Sequence, residues 1–219
     1  AIENTIAGSL LHNYELLLEN AVTVVGEHKL HIEHALMCLP DDDWDTIAEV
    51  NSHPVALMQC RHYLARHPKM KMVETYDTAG AAADIARDRR HGHAAICHAD
   101  AARRYGLKLL DRGIEDNKHN FTRFLVLCDS RHEEYAPCTE LRNKATLVFT
   151  LPHTEGALAH VLTAISSFGI NLLPITGHEW QYRFYFDVTF ADYVRYLQCV
   201  QALRPLTLEL KILGEYTGD

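Results

Sequence analysis

The feature that most constrains this 219-residue chain is the rhythm of its apolar segments. Segment 8–19 carries Leu10, Leu11, Tyr14, Leu17 and Leu18 at helical spacing. Short apolar runs then predict strands at 21–26, 30–39, 47–51, 70–76, 94–98, 107–114 and 121–128. Helices are expected after Ser52, where Pro54 suits a first turn, and over 79–89 and 99–105. Strands alternating with helices imply an α/β domain with a largely parallel sheet.

A polar stretch with Pro137 and alternating charges interrupts this rhythm, and a shorter one follows. Strand 145–151, helix 155–168 closed by Gly169, strands 170–176 and 181–190, helix 191–202 and strand 206–213 complete it. That order, βαββαβ, is the ferredoxin-like split unit. The expected organisation is a first domain over 1–130, a linker over 131–143 and a second domain over 144–219. The chain begins without Met, at what reads as the end of a strand with nothing ahead of it. We therefore expect it to start mid-domain.

Acidic residues outnumber basic ones, 29 to 21, so the footprint of a nucleic-acid binder is absent. No run of 18 apolar residues and no basic leader is present, which argues against a membrane partner or export. Six cysteines, none in a Cys-x-x-Cys pair, fit buried free thiols in a reducing cytoplasm. The Asp41-Asp42-Asp43 run reads as a solvated loop or cap. His28, His31 and His34 lie on a predicted strand with no further ligands nearby, so no metal site is expected.

Four polar clusters stand at strand ends. Asn120-Phe121-Thr122-Arg123-Phe124 opens an apolar strand, with Thr122 and Phe124 on one face and Arg123 on the other. Arg123 could clamp a carboxylate with its forked guanidinium, or pair with a carboxylate inside the protein. Asn51-Ser52-His53-Pro54, with Gln59-Cys60 beyond, leads into a helix whose free N–H groups favour an anion, although Ser52 could simply cap that helix. Ile2-Glu3-Asn4-Thr5 precedes helix 8–19, and Glu3 could be an acid, a base, a cap or a salt-bridge partner. Tyr76-Asp77-Thr78-Ala79-Gly80 is the fourth. Together they suggest one anion-binding cleft at the carboxyl ends of a sheet.

These residues resemble the prephenate dehydratase family. Ile2-Glu3-Asn4-Thr5 matches its Ile-Glu-Asn-Ser/Thr motif, and Ala7-Gly8-Ser9 with Asn13-Tyr14 extends the match. Ser52-His53-Pro54 and Gln59-Cys60, Asp77-Thr78-Ala79 and Thr122-Arg123-Phe124 match further motifs in the same order. The second domain resembles the ACT regulatory domain: Gly156-Ala157-Leu158-Ala159 matches its turn into the first helix, and 208–216 its final strand. The resemblance implies a two-lobed, periplasmic-binding-protein-like catalytic domain. It also marks two departures. An amino-terminal strand-helix-strand segment of about 70 residues is absent. A Glu-Ser-Arg-Pro stretch has no counterpart, as if about five residues were skipped between Leu172 and Leu173.

The resemblance further implies loss of water and carbon dioxide from prephenate, in phenylalanine biosynthesis and without metal or organic cofactor. Arg123 would take the pyruvyl carboxylate and Thr122 the leaving hydroxyl. Ser52 and Gln59 would position the substrate, aided by His53 and Thr78; Glu3, Asn4 and Thr5 would line the opposite wall, with Phe124 packed nearby. L-Phenylalanine would bind near Gly156, Ala157, Leu158, Asn171 and Leu172, in a homodimer or homotetramer. Arogenate dehydratase, and a non-catalytic amino-acid-sensing module, are the alternatives.

Overall fold

The computed structural model describes residues 1–131, 141–173, 176–178 and 182–218, with backbone only at 176–178. Most of the expected linker, and Cys138, lie outside these. The chain divides into two compact units, Ala1–Leu30 with Thr122–Asp219, and His31–Phe121. No helix among the described residues is long and apolar enough to cross a membrane.

In the first unit, β1 (Glu3–Asn4) and β2 (Gly8–Ser9) form a tight hairpin, followed by α1 (Leu11–Glu19) and β3 (Val22–His31). The helix expected from residue 8 starts three residues later. Gly8 has φ +79° and pairs back on Asn4, so the chain turns before it coils.

The second unit holds β4 (Ala35–Cys38), β5 (Glu49–Ser52), α2 (Pro54–Gln59), α3 (Arg61–Ala65), β6 (Lys71–Glu74), α4 (Thr78–Asp88), β7 (His93–Cys97), α5 (Asp100–Tyr105) and β8 (Lys108–Arg112). Its sheet order is β6-β5-β7-β4-β8. Leu36, Cys38, Ala94 and Ile96 face α2 and α3, while Ala35, Met37, Ala95 and Cys97 face α4 and α5. Strands covered on both sides read as unbroken apolar runs. The sheet is largely parallel with one exception: β5 runs parallel to β6 and β7, whereas β4 runs antiparallel to β7 and β8, so β5, β6, β7 and β8 share a direction. The β4–β5 connection has no crossover helix, and only a crossover keeps direction. The single strand expected over 30–39 also breaks at 32–34, where Ile32 N–H bonds Asn120 and His34 N–H bonds Glu115. Asp42 is buried rather than solvated, accepting from Gly92 N at 3.1 Å.

The chain returns to the first unit through β9 (Phe121–Asp129), then β10 (Lys144–Thr150), α6 (Ala157–Ser167), β11 (Asn171–Leu172), β12 (Thr176–His178), β13 (Arg183–Thr189), α7 (Tyr193–Leu203) and β14 (Glu209–Tyr216). The sheet order β11-β13-β10-β14 is ferredoxin-like, with β12 also pairing with β13. Gly169 takes φ +67° just past α6, the expected helix stop. A bulge between Thr146 and Leu147 sets Gly214 opposite Thr146. A Cβ at Gly214 would overlap the Val24 carbonyl oxygen, so β3 and β14 approach closely only because the residue is glycine.

One face of this sheet packs on α6 and α7 through Ala145, Leu147, Phe149, Phe186 and Val188. The other packs on α1, β3 and β9 through Val148, Tyr185, Leu213 and Tyr216, with Ile2, Tyr14 and Val24.

Candidate active site

Two motifs 118 residues apart become cross-strand neighbours: β1 pairs with β9 so that Glu3 faces Arg123 and Asn4 faces Thr122. Asn4 is fixed from both ends. Its Oδ1 accepts from Ile6 N and Ala7 N, at 3.0 and 2.9 Å, which locks the turn carrying Thr5. Its Nδ2 donates to Thr122 Oγ1 at 3.0 Å. An amide donating into that oxygen occupies a lone pair and leaves the hydroxyl proton as the outgoing donor. Phe124 is half-buried two residues along the same face.

Arg123 points the other way, into the core between β9 and the ferredoxin-like sheet. Nε donates to Glu27 at 2.6 Å, Nη1 pairs with Asp187, and Nη2 donates to the Tyr216 hydroxyl at 3.0 Å. Glu3 stands 3.9 Å from Nη1. Lys144 Nζ donates to both Glu27 oxygens, at 2.7 and 2.8 Å. Thr146 Oγ1 donates to Asp187 at 2.5 Å and lies 2.8 Å from the Tyr216 hydroxyl, so one consistent proton order runs Arg123 to Tyr216 to Thr146 to Asp187. Burial pushes the Glu27 carboxyl up, but the Lys144 hydrogen bonds and the Arg123 charge outweigh it and hold the group below its ordinary range. The internal carboxylate pairing of Arg123 is therefore the arrangement present, and contact with a substrate carboxylate would require an exchange. Glu27, Lys144, Asp187 and Tyr216 were missed in the sequence. Their signal was a charge set inside an apolar run, as in Val-Val-Gly-Glu and Tyr-Phe-Asp-Val.

In the second unit, Ser52 ends β5 fully buried, its Oγ donating to Ile96 O at 2.6 Å. It does not cap the following helix; His53 Nδ1 does, accepting from Val55 N at 3.2 Å. Gln59 Oε1 accepts from His34 Nε2 and Asn120 Nδ2, at 2.8 and 3.1 Å. Thr78 opens α4, whose N-terminus is already served by an acid, Asp77, accepting from Gly80 N at 2.7 Å. That capping carboxylate opposes an anion at this junction. Of the three histidines tested as metal ligands, His31 meets Lys118 O at 2.8 Å and His34 meets Gln59. Among the described residues, no three His, Cys, Asp or Glu side chains gather as a metal would need. Burial pushes the Cys60 and Cys97 thiols up to about 12, which makes them poor nucleophiles.

In the ferredoxin-like domain, Gly156 (φ +78°) caps α6, Ala157 and Leu158 form its first turn, and Asn171 and Leu172 form β11. Leu158 on α6 and Leu172 on β11 pack against one core cluster, so the two stretches meet across the core between helix layer and sheet.

Comparison with known proteins agrees with this geometry. The prephenate dehydratase pattern matches residues 1–132. Arogenate dehydratase 5 of Arabidopsis thaliana is 33% identical over an alignment covering 100% of this chain and 56% of that protein. The crystal structure of a prephenate dehydratase in complex with L-Phe, from Arthrobacter aurescens, gives a TM-score of 0.83 at 25% identity, over 99% of this chain and 73% of that one. GqqA, described as a novel type of quorum quenching acylase, gives 0.82 at 28% identity, over 100% and 81%. The chain spans a little over half the length of the curated relatives it matches. The fold class expected from the motifs is the one these structures share. With the family pattern covering 1–132 and its motifs paired across β1 and β9, the chain belongs to the prephenate dehydratase family.

Proposed function

We propose that the chain serves the decarboxylative dehydration of prephenate, or of arogenate, its analogue with an amino acid in place of the keto acid. The observation that carries this is the Asn4–Thr122 hydrogen bond, which presents the Thr122 hydroxyl as a donor. The bond between the ring and its carboxylate breaks, and its electrons enter the ring. The ring hydroxyl leaves from the far side, takes a proton delivered through Thr122 and departs as water. The carboxylate leaves as neutral CO2, so a cation fixed on it would stabilise the ground state and slow the step. Aromatisation supplies the drive.

Arg123 acts from behind the strand, holding β9 while Thr122 works on its other face. Asn4, Thr5 and Phe124 shape the surroundings of that hydroxyl, while Glu3 stands with Arg123 on the other face. Ser52 and Gln59, buried and hydrogen-bonded inside the second unit, act in this reading on that unit's framework rather than on the substrate. No resident metal or organic group is part of the proposal. We assign residues 1–130 to catalysis and 144–219 to an ACT regulatory domain that binds L-phenylalanine near Gly156–Leu158 and Asn171–Leu172 and pairs with a second copy, in a cytoplasmic enzyme. The assay is the appearance of phenylpyruvate from prephenate, or phenylalanine from arogenate. Thr122→Ala is expected to lower kcat by about 10²–10⁴-fold with little change in KM. An unchanged kcat removes Thr122 from the chemistry.

A further inference from the structure

The proposed regulatory stretch and the proposed catalytic strand are joined by a short run of named contacts. Leu173, directly after β11, donates its N–H to the Asp187 carbonyl at 2.9 Å. Asn171 and Leu172 pair with Thr189 and Val188 of the same strand, β13. The Asp187 carboxylate holds Arg123 Nη1. Arg123 is the neighbour of Thr122 and the cross-strand partner of Glu3.

Arg123 also has somewhere to go. Three carboxylates, Glu3, Glu27 and Asp187, stand within 4 Å of its guanidinium nitrogens. A cavity of about 170 Å³ opens beside it, lined by Glu3, Lys144, Leu173 and Asp187 among others. A guanidinium with competing acceptors and room to swing can hold two discrete arrangements, and a ligand acts by favouring one. Leu173 lines that cavity and is bonded to Asp187, so a shift at β11 changes both the cavity wall and the carboxylate.

We propose that Asp187 is a positioning residue for the dehydration, transmitting the state of β11 to Thr122 through Arg123. Occupation of the β11 side moves Asp187, which resets how Arg123 divides itself among Asp187, Glu27 and Glu3. β9 shifts with it, and the Thr122 hydroxyl leaves its working position. This deepens the regulatory reading above and rests on it.

The test uses the full chain. Asp187→Asn, Asp187→Glu and Tyr216→Phe are compared with the unaltered protein for kcat and KM, with and without phenylalanine, while calorimetry reads phenylalanine binding. Asp187→Asn is expected to bind phenylalanine as before, yet lose about tenfold of its inhibition, the effect falling on kcat rather than KM. Asp187→Glu keeps the charge and retains inhibition. Tyr216→Phe leaves the packing in place, shows the same loss more weakly, and remains informative if Asp187→Asn does not fold. Full inhibition in both Asp187→Asn and Tyr216→Phe overturns the proposal. Activity in the unaltered chain without phenylalanine binding overturns it together with the regulatory reading. Absence of turnover on both acids overturns the dehydratase reading itself.

Discussion

The two faces of the ferredoxin-like sheet solve one problem in opposite ways. The face under α6 and α7 is closed by side chains such as Leu147, Phe149, Val161 and Phe186. The face under β3 and β9 has an apolar rim around a charged centre of Glu27, Arg123, Lys144 and Asp187. An apolar layer holds elements together without caring about small slips. A buried ionic centre adds little net stability, but it is intolerant of misplacement, because a displaced partner leaves a charge stranded. The difference teaches that the second face is built to fix a position, and the strand it fixes carries Thr122.

Three measurements probe that contrast, starting from the largest effect. Phe149→Ala and Lys144→Met should both destabilise the protein, by about 3–5 kcal/mol from a cavity and about 3 kcal/mol from a stranded carboxylate. Denaturant titration at several pH values separates them. The Phe149→Ala loss should be constant, whereas the Lys144→Met loss should shrink in acid as Glu27 becomes protonated. Equal pH dependence would erase the distinction between the faces.

Glu27 supplies the next test. Its folded pKa lies below its ordinary value, so its stabilisation is complete above the unfolded carboxylate range, about 4.3, and is lost as pH falls through the lower folded value. Glu27→Gln should therefore flatten the acid limb of a melting-temperature profile below the unfolded carboxylate range. A parallel, unflattened limb would mean that other carboxylates dominate. The smallest effect is expected at Ile165→Val, about 0.5–1.5 kcal/mol, with activity unchanged. A change in kcat there would show that the apolar face also tunes the strand.

Much of this was legible in advance because it is local. A short unbroken apolar run marked β7, alternation of Leu147, Phe149 and Leu151 marked β10, and Gly169 marked the end of α6. The β3–β4 break was hidden because no glycine or proline marks it, and what interrupts the strand is hydrogen bonding to distant Asn120 and Glu115. The site split the same way. Thr122 and Asn4 could be named as candidates, but their pairing depends on register across 118 residues, which no window of sequence contains. Ser52 looked like a cap because its type is right; the cap is His53, since the Ser52 hydroxyl turns back to Ile96.

Gly214 has a consequence for recombination. The bulge and the missing side chain let β14 lie directly against Val24, an approach that any other residue would block. A foreign βαββαβ module grafted after β9 would fold by itself yet fail to seat unless it also supplied that bulge and that glycine. The ferredoxin-like domain is thus interchangeable in topology but keyed in detail. A library of transplanted modules, screened for those that dock, should return glycine at this one position far more often than at any other in the graft.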